Sequence, residues 1–386
     1  EEESKKILKD LIDGKQHPSC GNCWHMEDND LRSQRQGRIE EFNWMVPEIM
    51  QDLEINLDGT LADQSLRYFD VRQTNLCNMK CLMCGPNYSS LWNDDIRRSH
   101  GVKGKGAVID ADDVTAEPIF AEVEKNLDKI FMFYFAGGEP LISDTHWKIL
   151  DRLVEEKRFD VRLSYNTNAM KLDYKKKDAI EYWKKFDSVY VGCSIDAIGP
   201  RAEMSRTGTV WSQVAKNYRR ISDALPNSLS CNITTSILTI AGLADTIKWL
   251  QQFNYNSEEH NLLANNVVYG PECLSIKILP QQLKETIWKD IKDTLKNMKD
   301  KRAYPAIENE LFREVDEYWV ERQSFRFVHH MDWTSFIRGF DTISVLKAGA
   351  PELVDWYKAN KAKGIAQGKF VEYQPTKAEV KSVEWK

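Results

Sequence analysis

Between residues 67 and 280 the sequence alternates short β-like runs with helical patterns, and this alternation is the strongest constraint on its fold. Apolar and β-branched runs predict six strands, at 68–74, 129–135, 161–166, 188–195, 230–238 and 274–279. Helical periodicity falls between them, at 121–127, 145–156, 173–185, 211–225 and 243–253. This order favours parallel β/α units, in a partly closed barrel or in a doubly wound sheet. In either fold we expect the functional site at the carboxyl ends of the strands.

The regions on either side of this alternation are helical and polar. Residues 1–66 contain helical patterns and a cysteine pair, and because the chain opens on Glu1 rather than Met we expect this region to be incomplete. Residues 281–386 return to helical periodicity. Helices are predicted there at 282–298, 308–321 and 351–361. We therefore predict a β/α domain over residues 67–280 with helical extensions at both ends.

The composition is typical of a soluble globular protein, with 42 % apolar residues and a net charge of −6. No run reaches the roughly 18 apolar residues of a membrane helix, so we expect no membrane partner. Basic and acidic residues are interspersed, so the basic face that usually marks nucleic-acid binding is not evident. A local basic patch would still keep nucleic acid open as a partner.

Five of the eight cysteines fall in two tight clusters, and three are isolated. Their positions are 20, 23, 77, 81, 84, 193, 231 and 273. Clustered cysteines indicate metal binding in a reducing compartment rather than disulfides, which predicts a cytoplasmic protein.

Cys77, Cys81 and Cys84 follow the first predicted strand with the spacing C-x3-C-x2-C. Three thiolates can hold a cubane iron–sulfur cluster and leave one iron without a protein ligand. Structural clusters and structural zinc sites usually take four protein ligands. The spacing therefore predicts a reactive site with an open iron.

The second predicted strand runs into a short turn of glycine and polar residues. Gly137 and Gly138 let the backbone approach a ligand closely. Glu139 is a candidate acceptor for an ammonium group, and Pro140 stiffens the exit of the turn.

The third and fourth strands also end in polar side chains. Asn166 and Asn168 lie at the end of the third strand and suit sugar hydroxyls, whereas Ser194 and Asp196 lie at the end of the fourth. Arg206 follows as a candidate two-pronged donor to a carboxylate. Taken with the cysteines, these residues predict a pocket for an amino acid joined to a nucleoside.

With these motifs the chain resembles the radical S-adenosylmethionine (SAM) superfamily. Its three cysteines match the C-x3-C-x2-C motif, and residues 137–140 match the GGEP motif, which in the family binds the SAM amino group. Residues 166–168 resemble the strand end that contacts the ribose, and residues 194–196 match the SID segment of the branch that modifies peptides. Arg206 resembles the arginine that meets the SAM carboxylate, and Met83 replaces an aromatic residue whose backbone contacts adenine.

The resemblance implies a partial (β/α)6 barrel and a defined chemistry. Cys77, Cys81 and Cys84 would hold a [4Fe-4S] cluster whose open iron binds SAM. An electron from a flavodoxin- or ferredoxin-type donor would pass through the cluster and cleave SAM reductively. The products are methionine and a 5′-deoxyadenosyl radical, which takes a hydrogen atom from the substrate. The protein's part is to orient the reactants, tune the cluster and exclude solvent.

Cys20 and Cys23 form a second, C-x2-C pair outside the barrel. Three interpretations stay open: ligands of an auxiliary iron–sulfur cluster, ligands of zinc, or an unmetallated pair. The surrounding string, with Glu27, Ser33 and Arg35, resembles SPASM/twitch-type radical SAM proteins. In most of those proteins the auxiliary cysteines follow the barrel, whereas here the pair precedes it.

Several single residues have both a structural and a functional interpretation. Cys193 is expected to be a small buried strand residue, the alternative being a hydrogen-atom donor that quenches a substrate radical. Strand alternation turns Cys193 away from Ser194. His329, His330 and Asp332 suggest a metal site, but adjacent residues seldom converge on one ion, so we expect a helix-start or surface role.

Three functions compete at this point. The SID segment, the cysteine pair and the lack of a basic face favour a radical SAM enzyme that acts on a peptide or protein. A nucleic-acid base or a small metabolite is the alternative substrate. The third function is a zinc-binding adaptor using Cys20, Cys23, Cys81 and Cys84, although the gap of roughly 57 residues is long for a zinc module. Substrate contacts are expected from residues 24–66 and from the helical C-terminal part.

Overall fold

Two units of unequal size make up the chain, Glu1–Leu66 and Arg67–Lys386. The computed structural model describes residues 2–28, 33–43, 60, 65–72, 74–100, 112–253, 263–268, 270–296 and 304–370.

The smaller unit is helical where the structure describes it. Its helices are α1 Glu2–Ile12, α2 Gly21–Glu27 and α3 Gln34–Phe42. A capping box starts α3, because the Gln36 N–H donates to the Ser33 hydroxyl oxygen and the Ser33 N–H donates to the Gln36 side chain, both at 3.1 Å. The Glu27 carboxylate accepts from the Ser33 hydroxyl and from the Arg35 guanidinium, which ties the end of α2 to the start of α3.

The larger unit is built on six parallel strands. They are β1 Tyr68–Val71, β2 Met132–Phe135, β3 Arg162–Thr167, β4 Val189–Ser194, β5 Leu229–Thr235 and β6 Leu263–Val267. The strands lie side by side in chain order, with Phe133 paired to Phe69 on one side and to Leu163 on the other. A doubly wound sheet would reverse its strand order at a switch point. The order therefore confirms the predicted partial (β/α)6 barrel with helical extensions.

Helices follow the strands, and several of them pack against one face of the sheet. They are α4 Trp92–His100, α5 Asp112–Asn126, α6 Asp144–Glu155, α7 Ala179–Trp183, α8 Gly199–Ser205, α9 Trp211–Ala224 and α10 Leu243–Leu250. Side chains of one strand face, such as Phe135 and Val191, are buried with Leu150 of α6 in the core. The alternate side chains, such as Tyr134 and Asn166, are only partly buried. Strand alternation thus separates an apolar core from a polar inner face.

The predicted sixth strand is wrong. Residues 274–279 form two short 3-10 turns, Glu272–Leu274 and Ile276–Ile278, and the sixth strand is instead β6, which pairs with β5. The apolar side chains of this run are buried because it packs into the core, where the Ile237 N–H donates to the Leu274 carbonyl at 2.9 Å. A short apolar run cannot by itself distinguish a strand from another buried segment. Cys273 therefore lies in a turn.

The predicted helix over residues 173–185 begins as a hairpin. Asp173–Tyr174 pairs antiparallel with Lys177–Asp178, and Lys175 and Lys176 between them have φ angles of 46° and 69°. The helix α7 begins only after Asp178, whose carboxylate accepts from the Ile180 N–H at 2.8 Å.

The C-terminal helices are α11 Gln281–Leu295, α12 Tyr304–Leu311, α13 Glu317–Arg338, α14 Thr342–Gly349 and α15 Val354–Ala366. The helix predicted at 308–321 is wrong, because the chain leaves α12 after Leu311 and begins α13 at an Asp316 cap, which accepts from the Trp319 N–H at 3.0 Å. Gly339, with a φ of 76°, ends α13 in the left-handed conformation that suits glycine.

Within the described residues, no helix combines the length and the apolar character that crossing a membrane requires.

Candidate active site

A cavity of about 500 Å³ lies at the carboxyl ends of the strands. Nine of the residues predicted for this pocket line it, whereas Met83, Glu139, Pro140 and Asp196 do not. Its lining includes Cys77, Cys81, Cys84, Gly137, Gly138, Asn166, Asn168, Ser194 and Arg206. Glycine, amide, hydroxyl and guanidinium groups thus share one cavity with the three sulfurs.

Hydrogen bonds to the main chain hold the cysteine loop in place. The Ser89 hydroxyl donates to the Met79 carbonyl at 2.6 Å, and the Trp92 indole N–H donates to the Cys81 carbonyl at 3.1 Å. The short strand Lys80–Cys81 pairs antiparallel with Arg206–Thr207. The loop is therefore fixed to the segment that carries the predicted carboxylate binder.

The three cysteine thiols lie in different electrostatic surroundings. Burial raises the pKa of Cys77 to about 12. A hydrogen bond from the Cys84 thiol, helped by the charge of Arg206, lowers the pKa of Cys81 to about 7 although burial opposes it. The lowered pKa favours a thiolate at Cys81.

Three cysteine side chains beside one cavity form a donor set that fits an iron–sulfur cluster. Among the described residues, no three histidine, cysteine or acidic side chains are arranged to hold one metal ion. A cubane instead places each thiolate on a different iron, and the cavity beside Cys77, Cys81 and Cys84 provides space for such a cluster.

The two glycines of the second strand end allow a close contact with the cysteine loop. A Cβ atom on Gly138 would lie 2.1 Å from the Leu76 carbonyl oxygen, and Gly137 has a φ of 108°. The Gly138 N–H donates to the Thr74 carbonyl at 3.0 Å, and the Glu139 N–H donates to the Leu76 carbonyl at 2.7 Å. The glycines therefore bring this turn against the chain just before Cys77, in addition to lining the cavity.

The Glu139 carboxylate is buried and accepts three hydrogen bonds. Its donors are the Leu141 N–H at 3.2 Å, the Thr167 hydroxyl at 2.7 Å and the Asn168 N–H at 2.7 Å. Burial nevertheless raises its pKa to about 7. Glu139 thus joins the ends of β2 and β3, and its contact with an ammonium group stays a prediction. Pro140 starts the 3-10 turn Pro140–Ile142 and is buried.

The predicted sugar-binding amides are linked to neighbouring side chains. Asn168 donates to the Asn78 side-chain oxygen at 2.8 Å. Asn166 donates to the Tyr134 hydroxyl oxygen at 2.5 Å and accepts from the Asn232 amide at 2.6 Å. Gly192 lies between these two amides, and a Cβ atom there would stand 2.5 Å from the Asn232 nitrogen.

Asp196 and Arg206 form a buried, two-pronged ion pair, with N–O distances of 2.7 and 2.8 Å. Arg206 also points its remaining terminal nitrogen toward Cys81, 3.9 Å from the sulfur. Ser194 lines the cavity, whereas Met83 packs against the core and is absent from the lining. The adenine contact of Met83 stays a prediction.

Cys193, the candidate hydrogen donor, lies away from the cavity. Its side chain is fully buried in the apolar core, on the strand face opposite Ser194, which lines the cavity. Burial raises its pKa well above the usual value. Cys231 is buried in the same core.

Cys20 and Cys23 lie at the start of α2 and are half-buried, with free thiols. Trp24 lies on the same short helix, and the Arg35 guanidinium of α3 stacks over its ring, 4.5 Å from the ring centre. Glu27, by hydrogen bonding, raises the pKa of Arg35, and the two cysteines add to this. The pair therefore has a cation close by, and its metal ligation stays a prediction.

Helix α13 supplies contacts that the sequence did not reveal. His330 hydrogen bonds with the Leu82 carbonyl at 3.1 Å, and Arg338 donates to the Lys80 carbonyl at 3.0 Å. The helix-start or surface role expected for His330 is wrong, because it lies in mid-helix and burial lowers its pKa to about 4. No motif marks either residue, since their partners lie more than two hundred positions away.

One family profile and several solved structures match parts of the chain. The profile of the radical SAM superfamily matches residues 71–250. SuiB of Streptococcus suis bound to S-adenosylmethionine is 12 % identical over 72 % of this chain and 57 % of its own, with a TM-score of 0.39. SuiB of Streptococcus suis bound to its precursor peptide SuiA is 12 % identical over 73 % of this chain and 61 % of its own, with a TM-score of 0.40.

A third solved structure, anSMEcpe with bound AdoMet, is 20 % identical over 64 % of this chain and 62 % of its own, with a TM-score of 0.37. The chain thus spans 57–62 % of the length of these structures. No curated protein sequence matches it. The profile match includes the three-cysteine loop and strands β2–β5, and this part of the chain, residues 71–250, is a radical SAM domain.

Proposed function

We propose that this protein is a radical SAM enzyme that holds a [4Fe-4S] cluster on Cys77, Cys81 and Cys84 and binds SAM in the adjoining cavity. The observation that carries the proposal is the cavity itself, which has the three sulfurs on one side and polar strand ends on the other. When bound, the cluster and SAM would supply the 5′-deoxyadenosyl radical that removes a hydrogen atom from the substrate.

The residues of the chain would bind and orient SAM. Gly137 presents backbone to the cavity, and Asn166 and Ser194 offer polar side chains there. Arg206 keeps one terminal nitrogen outside its pair with Asp196, so that it can donate to a carboxylate. Each is assigned a contact with SAM on the basis of its place in the cavity and of its family motif.

We propose a peptide or protein as the substrate. A cavity of about 500 Å³ is the size that holds one ligand of moderate size, so SAM would leave little room for a second molecule inside it. The substrate would then reach SAM from the open side. Tyr88 lines that side and is 67 % exposed, which offers an aromatic surface to an extended chain. The SID segment at residues 194–196 also supports this class.

Cys20 and Cys23 are proposed to ligate an auxiliary iron–sulfur cluster. The nearby Arg35 supports this assignment, because a cation stabilises thiolates and the negative charge of a thiolate-ligated cluster. Double replacement with serine is expected to lower the iron content per chain, and an unchanged content would contradict the assignment. Free thiols throughout the chain suit a reducing compartment, and we propose the cytoplasm, with a flavodoxin or ferredoxin as electron donor.

Anaerobic reconstitution followed by an assay for 5′-deoxyadenosine tests the proposed activity. The wild-type protein with SAM and a strong reductant is expected to release 5′-deoxyadenosine, and Cys81→Ala is expected to release none. A reconstituted wild type that retains its cluster but releases no 5′-deoxyadenosine would contradict the proposal.

A further inference from the structure

Arg338 lies at the end of α13 and reaches into the cysteine loop. Its side chain is 4 % exposed. One terminal nitrogen donates to the Lys80 carbonyl at 3.0 Å and to the Thr207 hydroxyl at 2.9 Å. Because Lys80 immediately precedes Cys81, the guanidinium contacts the backbone of the cluster motif itself.

The same guanidinium is tied to the other side of the loop. Its Nε donates at 2.8 Å to Asp95, which is fully buried and also accepts from Lys80 at 2.7 Å. The guanidinium carbon lies 4.8 Å from the centre of the Trp92 ring, and the Trp92 indole donates to the Cys81 carbonyl. Arg338 is therefore held on several sides, with little freedom to move away from the loop.

Cations and carboxylates are unequal in number in the ion pairs that hold the loop. The buried ion pairs there comprise the cations Lys80, Arg206 and Arg338 and the carboxylates of Asp95 and Asp196. Within these ion pairs the cations outnumber the carboxylates by one. The Nη2 atom of Arg338 is also buried, and it has no hydrogen-bond partner in the described part of the chain. Burying an incompletely paired cation is unfavourable, so a negative group nearby is needed to offset it.

We infer that Arg338 is a positioning residue whose buried positive charge stabilises the reduced, more negative form of the cluster on Cys77, Cys81 and Cys84. This inference rests on the proposed function, because it requires the cluster. It assigns to the C-terminal helix a direct part in setting the cluster's reduction potential. Asp95, of opposite charge and in contact with Arg338, has the opposite effect on the potential.

The test is a redox titration of the reconstituted protein without SAM, in which the EPR signal of the reduced cluster is measured at each potential. At a fixed potential, Arg338→Gln is expected to lower the ratio of reduced to oxidised cluster about tenfold. For a one-electron couple this is a shift of the midpoint potential by about 59 mV in the negative direction. Asp95→Asn is expected to shift the midpoint potential in the positive direction. Arg338→Lys, which keeps the charge, should stay close to wild type.

Arg326 provides the matched control, since it is an exposed arginine on the same helix. Arg326→Gln is expected to leave the potential unchanged. If Arg338 had a merely structural role, both Arg338→Gln and Asp95→Asn would loosen the loop and shift the midpoint potential in the same direction. That result overturns the inference. Should Arg338→Gln not fold, an unchanged potential in Asp95→Asn overturns it as well. A wild type without a cluster would instead contradict the proposed function.

Discussion

The guanidinium of Arg206 contacts both carboxylate oxygens of Asp196, at 2.7 and 2.8 Å, across the carboxyl end of β4. Asp196 is 1 % exposed and accepts a third hydrogen bond from the Thr234 N–H at 2.8 Å. The pair fixes the orientation of Arg206, whose remaining terminal nitrogen faces Cys81. The carboxylate of Asp196 thus orients a cation at the cavity.

Removing Asp196 is expected to destabilise the fold strongly. Asp196→Ala leaves the Arg206 guanidinium buried without its carboxylate, a change that typically costs about 3–5 kcal/mol. Urea unfolding of the metal-free protein measures the loss. Asp245→Ala, which breaks a surface pair with Lys248, should leave the unfolding midpoint nearly unchanged. Equal midpoints for the two variants would contradict the importance of the buried pair.

Gly138→Ala is expected to impair cluster binding. The added Cβ would meet the Leu76 carbonyl oxygen at 2.1 Å, so the turn would have to move away from the cysteine loop. Iron content per chain after anaerobic reconstitution is expected to fall several-fold. Gly85→Ala, in the cysteine loop itself, is the matched control, because a Cβ there meets nothing within 4 Å. Full iron loading of Gly138→Ala would show that the close contact is dispensable.

Glu139 gives a pH dependence of stability with a defined sign. Burial raises its pKa from 4.5 to about 7, so the folded state binds the proton more tightly than the unfolded state. The contribution of Glu139 to the free energy of unfolding therefore falls by about 3 kcal/mol as the pH rises from 4.5 to 7.

Glu139→Gln should remove this part of the pH dependence. The free energy of unfolding of the metal-free protein, measured at pH 4.5 and at pH 7.5 for both proteins, checks it. Comparing the two proteins cancels the effect of buried histidines such as His330, whose lowered pKa acts in the opposite direction. Identical pH dependence in wild type and variant would contradict the raised pKa.

Cys193→Ala is expected to leave the chemistry intact. The thiol lies in the core and not in the cavity, so the yield of 5′-deoxyadenosine and the iron content should equal those of wild type. Unfolding should show a loss of about 1 kcal/mol from the small space left behind. A drop in 5′-deoxyadenosine with full iron loading would restore Cys193 as a participant.

The sequence was sufficient to predict the sheet because each of its first five strands is a distinct apolar run beside a polar end. It was misleading for the sixth strand, where β6 has the sequence LANNV and the more apolar run at 274–279 forms turns. Residues 263–267 form a strand because they pair with β5. Such pairing depends on the tertiary structure and cannot be read from the β-propensity of the segment.

The site was predictable where one motif holds all the chemistry, as in the cysteine loop and in residues 137–140. The contacts of Lys80 and Leu82 with Arg338 and His330 were not predictable, because they join positions far apart in the chain. The role of Gly138 was predicted only in part. Its need to lack a side chain was clear, but the group that it approaches is the Leu76 carbonyl.

The EPR spectrum of the reduced protein before and after addition of SAM tests the central claim most directly. If the cavity beside Cys77, Cys81 and Cys84 holds both the cluster and SAM, the wild-type signal will change when SAM is added. Cys81→Ala should give no such signal with or without SAM. A wild-type cluster signal that SAM leaves unchanged would contradict the account.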